Sequence, residues 1–168
     1  MDQFDSAVDR AFERLRASAA ADKLFYSLSA LADHSLIWVI IASAIGVSDR
    51  RRKRAIQIVL LLLLESLVVN LLVKSVFNRS RPIDRDYKHP YRLRYPLTSS
   101  FPSGHTTAAF AAAELIPENG LSRILMFGLA SLVGASRIYV KIHHASDVLG
   151  GAAIGSIYGK LARRLLTR

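Results

Sequence analysis

Ile58 to Leu64 reads IVLLLLL, an unbroken apolar run inside a longer apolar segment, about 55 to 77, and no soluble surface helix accommodates it. Three further segments resemble it: about 31–47 (LADHSLIWVIIASAIGV), 121–140 (LSRILMFGLASLVGASRIYV) and 148–166, which is rich in Gly and Ala. Each approaches the ~20 residues that cross ~30 Å of hydrocarbon as a helix. Composition agrees: 51% of the 168 residues are apolar, although 23 Lys and Arg against 13 Asp and Glu leave a charge of +10. A disordered basic tail lacks that apolar content, and a nucleic-acid binder carries its charge on a soluble surface. With no Cys there is no disulfide framework, thiolate nucleophile or Cys-based metal site.

The expected fold is therefore all-α, a polytopic membrane bundle in one domain over residues 1–168, with about five membrane helices. The fifth, 103–116, reaches only ~21 Å as a helix and ends at Pro117, so it is read as a short helix shielded by its neighbours. The basic run Arg50 to Arg54 is expected to stop the first span. In residues 1–28, Phe4, Val8, Phe12, Leu15 and Ala19 recur at helical spacing. Asp5, Asp9, Arg10, Glu13 and Arg14 fall elsewhere, which predicts an amphipathic helix in the membrane interface. Early acidic residues argue against a secretory signal. Gly151, Gly155 and Gly159 form a small-residue ridge on which a second helix can pack closely.

The loop 78–102 holds four of the five prolines and the basic residues Arg79, Arg81, Arg85, Lys88, Arg92 and Arg94. Loops of this length in a compact chain are usually functional. If the spans alternate, three clusters meet at one membrane face: Lys74 with Arg81–Pro82, Pro102-Ser103-Gly104-His105, and Ser136–Arg137 with His143 and Asp147. Their chemistry suits a phosphate. PSGH opens a helix, so the N–H groups of Ser103, Gly104 and His105 can point at phosphate oxygens, and Gly104 permits close approach. Arg81 and Arg137 offer bidentate bonds, and Lys74 a mobile point charge. His143 and Asp147, four apart, suit an imidazole oriented by a carboxylate, with His105 available as a general acid. Nothing supplies the clustered carboxylates of a two-metal phosphatase, so neither metal nor cofactor is expected.

These stretches, KSVFNRSRP (Lys74 to Pro82), PSGH (Pro102 to His105) and SRIYVKIHHASD (Ser136 to Asp147), resemble the three-part signature of the PAP2 superfamily. That superfamily comprises type 2 phosphatidic acid phosphatases and their relatives, and shares a fold with vanadium haloperoxidases. The resemblance implies that His143 is the nucleophile forming a phosphohistidine, that Asp147 orients it and that His105 protonates the leaving group. Lys74, Arg81, Ser103, Gly104 and Arg137 would hold the phosphate. Spacing to Asp147 alone leaves His144 open as the nucleophile; the family pattern favours His143. The likeness covers about Lys74 to Asp147 and says little of residues 1–50.

The expected substrate is a membrane lipid phosphate, its tail left in the bilayer, with a polyprenyl-linked phosphate or diphosphate favoured. A lipid phosphotransferase sharing the intermediate and a non-catalytic anion binder are the alternatives; a soluble haloperoxidase relative is disfavoured by the spans. No nucleic-acid partner is expected. Once the site cations are set aside, basic residues divide ten against ten between the two sides. Orientation therefore rests on the compact Arg50–Arg54 run and the resemblance, which lean to an extracytoplasmic site in a cell-membrane protein. Among lone residues, Asp33 and His34 are read as interfacial, His89, Tyr87, Tyr91 and Tyr95 as placing the loop at the interface. Glu65 is read as structural, because on an ideal helix it points about 180° away from Lys74.

Overall fold

The computed structural model describes residues 2–33, 36–82, 89–92 and 98–166, and among these every regular element is helical. His34, Arg85, Tyr87, Lys88, Arg94 and Tyr95 lie outside the described residues. Helices α1 (Gln3–Glu13) and α2 (Ala19–Leu31) are followed by α3 (Leu36–Ile45) and α4 (Asp49–Leu67). A π-helical stretch, Val68–Val73, joins α4 to a last turn, α5 (Lys74–Val76); α6 (Gly104–Leu115), α7 (Gly120–Tyr139) and α8 (Ala145–Ala162) complete the bundle.

Among the described residues two stretches are long and apolar enough to cross a membrane, the 26 residues Arg51–Val76 and the 20 of Gly120–Tyr139. The second spans ~30 Å at 1.5 Å per residue. Leu60, Leu63, Leu64, Leu67, Leu71 and Leu72 are exposed along the first of them, an apolar surface of the kind that lipid or a partner covers.

Helix α6 is the centre of the fold. Nine of its twelve residues are buried, five of them Ala, and it lies against α4, α7 and α8. The glycine ridge of α8 explains the closeness. A Cβ on Gly151 would stand 2.7 Å from the Ser103 carbonyl oxygen, on Gly155 2.2 Å from that of Thr107, and on Gly159 2.6 Å from Glu114 Cβ. No side chain fits there, so backbone packs on backbone.

Five expectations about local structure are corrected. The single amphipathic helix over 1–28 is two helices. The chain turns after Glu13 and restarts at Ser18, whose hydroxyl accepts from Ala21 N–H at 3.5 Å. The reason is tertiary: Arg16, buried in that turn, donates to the Tyr139 and Ile138 carbonyls at 2.9 and 3.0 Å and so satisfies the end of α7. Asp5, expected on the polar face, is 2% exposed.

The span expected over 31–47 is also shorter than expected. Helix α2 ends at Leu31 and α3 has only ten residues, ~15 Å, too short to cross alone. The run from Arg50 to Arg54 does not precede the second span but forms its first turns. There Arg51 and Arg54 approach Glu118 at 3.8 Å, linking the end of α4 to the α6–α7 turn.

Glu65 and Lys74 are not on opposite faces, because the segment between them is not an ideal helix. In the π-helical stretch each residue advances through less than the ~100° of an α-helix. Both side chains consequently turn inward, at 1% and 8% exposure, near enough to feel each other's charge.

Candidate active site

The three clusters converge at the end of the bundle opposite Arg51, Arg54 and Glu118. Helix α5 delivers Lys74, the N-terminus of α6 delivers Ser103, Gly104 and His105, and the C-terminus of α7 with the turn into α8 delivers Arg137, His143 and Asp147. Lys141 takes up a left-handed backbone in that turn, at φ 54°. Its N–H reaches the Ile138 carbonyl at 3.0 Å, while the His143 N–H returns to the Arg137 carbonyl at 3.2 Å, folding His143 back beneath α7.

His143 is 2% exposed. Its Nε2 lies 3.0 Å from Arg81 Nη1, and its Nδ1 lies 3.6 Å from Asp147 Oδ2. A guanidinium only donates, so the Arg81 contact requires a lone pair on Nε2 and puts the ring proton on Nδ1, towards the carboxylate. At 3.6 Å that second contact is electrostatic attraction rather than a hydrogen bond. Burial, reinforced by Arg81 and Arg137 and opposed by Asp147, pushes the imidazole down to about 3, so His143 is a neutral base at physiological pH. His144 is differently employed: its Nε2 donates to the Ser80 carbonyl at 3.2 Å, and its backbone N–H donates to Asp147 Oδ2 at 2.8 Å. Of the two adjacent imidazoles, His143 faces Arg81.

Arg81 is held by several backbone carbonyls. Nε donates to the Thr98 carbonyl at 3.1 Å, Nη1 to the Ile142 carbonyl at 2.9 Å and Nη2 to the Ser99 carbonyl at 3.1 Å. Burial lowers its pKa and Asp147 opposes that shift. Lys74 Nζ lies 3.4 Å from Thr98 Oγ1. A Cβ on Gly104 would stand 3.5 Å from that amine, an ordinary van der Waals contact, so Lys74 lies directly against the start of α6.

Ser103 caps α6, and the Gly104 and His105 N–H groups have no helix carbonyl within reach. The Ser103 N–H, expected to face phosphate, instead donates to the Asp147 carbonyl at 3.1 Å and ties α6 to α8. The hydroxyl of Ser103 accepts from Thr106 Oγ1 at 2.9 Å. Arg137, 2% exposed, donates from Nη1 to the Ser29 hydroxyl, and its Nε has no partner among the described residues.

Several site residues escaped the sequence reading. Asp33, taken as interfacial, is bonded to His105 at 2.7 Å through Oδ1 and Nε2, so the second imidazole also has a carboxylate partner. Besides the His143 attraction, the Asp147 carboxylate accepts from three donors, Arg79 Nη1 at 2.6 Å, Ser100 Oγ at 2.5 Å and the His144 N–H at 2.8 Å. Arg79 carried a signal, lying two residues from Arg81. No spacing rule reaches from Asp33 to His105, 72 positions apart.

A family model described as the PAP2 superfamily matches residues 54–168. The chain belongs to that superfamily. It is 32% identical over 140 residues to the decaprenylphosphoryl-5-phosphoribose phosphatase of Mycobacterium tuberculosis, covering 80% of this chain and 74% of that protein. Over 68 residues, 38% of this chain, it is 46% identical to the lipid A 1-phosphatase of Porphyromonas gingivalis, of whose length it spans 15%. The crystal structure of Aquifex aeolicus LpxE superposes with a TM-score of 0.72 at 27% identity, covering 94% of this chain and 93% of that one.

Proposed function

We propose that this protein is a metal-independent phosphatase of membrane lipids that works through a phosphohistidine on His143. The single observation that carries the reading is the Nε2 of a buried neutral imidazole 3.0 Å from Arg81, with Asp147 behind the ring. A phosphate arriving between Lys74, Arg81, Arg137 and the α6 N-terminus takes over the Arg81 N–H now pointing at Nε2, which frees that lone pair. Nε2 then attacks phosphorus, the P–O bond to the lipid breaks, and His105 gives the leaving oxygen a proton. Asp147 stabilises the positive charge appearing on the ring. In the second half, His105 takes a proton from water as its oxygen attacks phosphorus, the P–N bond breaks and inorganic phosphate leaves.

Residues 1–168 act as one membrane unit of several passes, with the site open at the extracytoplasmic face. The favoured substrate is a polyprenyl-linked phosphate or diphosphate, as the name of the Mycobacterium tuberculosis relative suggests. Its tail stays among the exposed leucines while the headgroup enters between the cations. Nucleophile, acid and charge compensation all come from side chains, so turnover is expected to survive EDTA, and vanadate to inhibit as a phosphate mimic.

The test is to present lipids carrying radiolabelled phosphate to the purified protein and quench with alkali, which preserves phosphohistidine. Label on the protein that is lost in His143→Ala supports the reading; equal turnover in that variant overturns it. Phosphate appearing on an alcohol rather than in water identifies a phosphotransferase, and activity confined to glycerophospholipids removes the polyprenyl assignment.

A further inference from the structure

Asp5 lies in α1, outside the matched residues 54–168, yet its carboxylate is among the most deeply buried charges in the protein, at 1% side-chain exposure. Its Oδ1 accepts the Ser146 N–H at 2.8 Å, and its Oδ2 accepts the Ser146 hydroxyl at 2.8 Å and Arg79 Nη2 at 2.7 Å. The other arm of the same guanidinium, Nη1, reaches Asp147 Oδ1 at 2.6 Å and the Ser146 hydroxyl at 2.8 Å. Burial pushes the Asp5 carboxyl up, but the Ser146 and Arg79 bonds outweigh it and hold its pKa below the ordinary value. A buried carboxylate is a costly way to fasten a helix to a membrane protein, since an apolar residue would pack there without desolvation. The placement makes sense if the charge is needed.

We propose that Asp5 and Arg79 are positioning residues for phosphoryl transfer, through which helix α1 fixes the Asp147 carboxylate behind His143. Charges alternate outward from the imidazole: Asp147 negative, Arg79 positive, Asp5 negative. Arg79 alone would draw on the carboxylate that must stabilise a positively charged phosphohistidine; Asp5 offsets it. The fork also fixes direction, because with Arg79 on Oδ1, and Ser100 and His144 on Oδ2, the Asp147 carboxyl cannot rotate. Neither Asp5 nor Arg79 needs to touch the phosphate, so their loss should appear in kcat rather than KM.

The inference rests on His143 being the nucleophile, and its test separates the two claims. Asp5→Asn, Arg79→Met, Arg79→Lys and the Asp5→Asn/Arg79→Met pair are assayed on a lipid phosphate, with rates normalised to folded protein. Histidine-selective 15N spectra of the same samples report the ring of His143. Expected results are a kcat lower by roughly 10- to 100-fold with KM within about twofold, and a double variant no worse than Arg79→Met. The His143 ring signals should shift in Asp5→Asn while those of His105 stay. Arg79→Lys, which retains charge without the fork, should fold and still lose kcat. Unchanged kcat in folded Asp5→Asn, independent losses that multiply, or an unmoved His143 spectrum overturn the proposal. A wild-type protein that releases no phosphate overturns the proposed function, and the 15N spectra still decide this one.

Discussion

Arg137 shows what residue type means at this site. One Nη donates to Ser29, and Nε, buried, has no partner among the described residues, so the guanidinium is held by one end. A lysine there is a point charge with no fork. Arg137→Lys is therefore expected to lower kcat/KM by about 10- to 100-fold with little loss of folded protein, as measured by phosphate release beside a thermal melt; a near-normal rate would make Arg137 peripheral. His143 gives a pH prediction. Its folded pKa, about 3, lies below the 6.5 of an exposed imidazole. The unfolded chain therefore binds the extra proton first, and the stability contributed by the neutral ring is present above about 6.5 and lost as pH falls towards 3. Thermal melts in detergent between these limits should fall more steeply for the wild type than for His143→Gln, which has no proton to gain.

Among the elements, the α6–α8 contact is the one that tolerates least. Gly155→Ala would drive a Cβ to 2.2 Å from the Thr107 carbonyl oxygen, where only backbone can move. Overpacking of that kind costs about 1–3 kcal/mol. Because α6 carries Gly104 and His105 while α8 carries Asp147, activity should fall together with the melting temperature. Gly128→Ala, in α7 with nothing within 4 Å of its added Cβ, is the matched control and should stabilise by about 0.5–1 kcal/mol. Opposite signs for the two substitutions, read by thermal unfolding in detergent, are the expected outcome. Equal effects would mean that the glycine ridge is not what sets the helix separation.

For the whole molecule, the decisive arrangement is that the site and the Arg51–Arg54 turns stand at opposite ends of the bundle. The chain contains no Cys, so one introduced at Ser48 and one at Ser80 can be labelled separately in intact cells. An extracytoplasmic site predicts that an impermeant thiol reagent reaches position 80 and spares 48; the reverse pattern inverts the orientation. Much was legible beforehand. Helices α6, α7 and α8 fall within four residues of their expected ends, because hydropathy, glycine spacing and Pro117 are local signals. That His143, Asp147, Lys74, Arg81 and the PSGH turn come together was legible because they lie within motifs of fixed spacing. The break between α1 and α2, the inward turn of Glu65 and Lys74, and the partners Asp5, Asp33, Arg79 and Ser29 were not. Sequence by itself determined which segments are apolar and which short motifs group the cations and imidazoles, since both depend on neighbours along the chain. Tertiary structure alone decided which carboxylate stands behind which imidazole. A buried charge takes whatever counter-charge the packed helices bring within about 3 Å, and that choice leaves no periodic trace in the sequence.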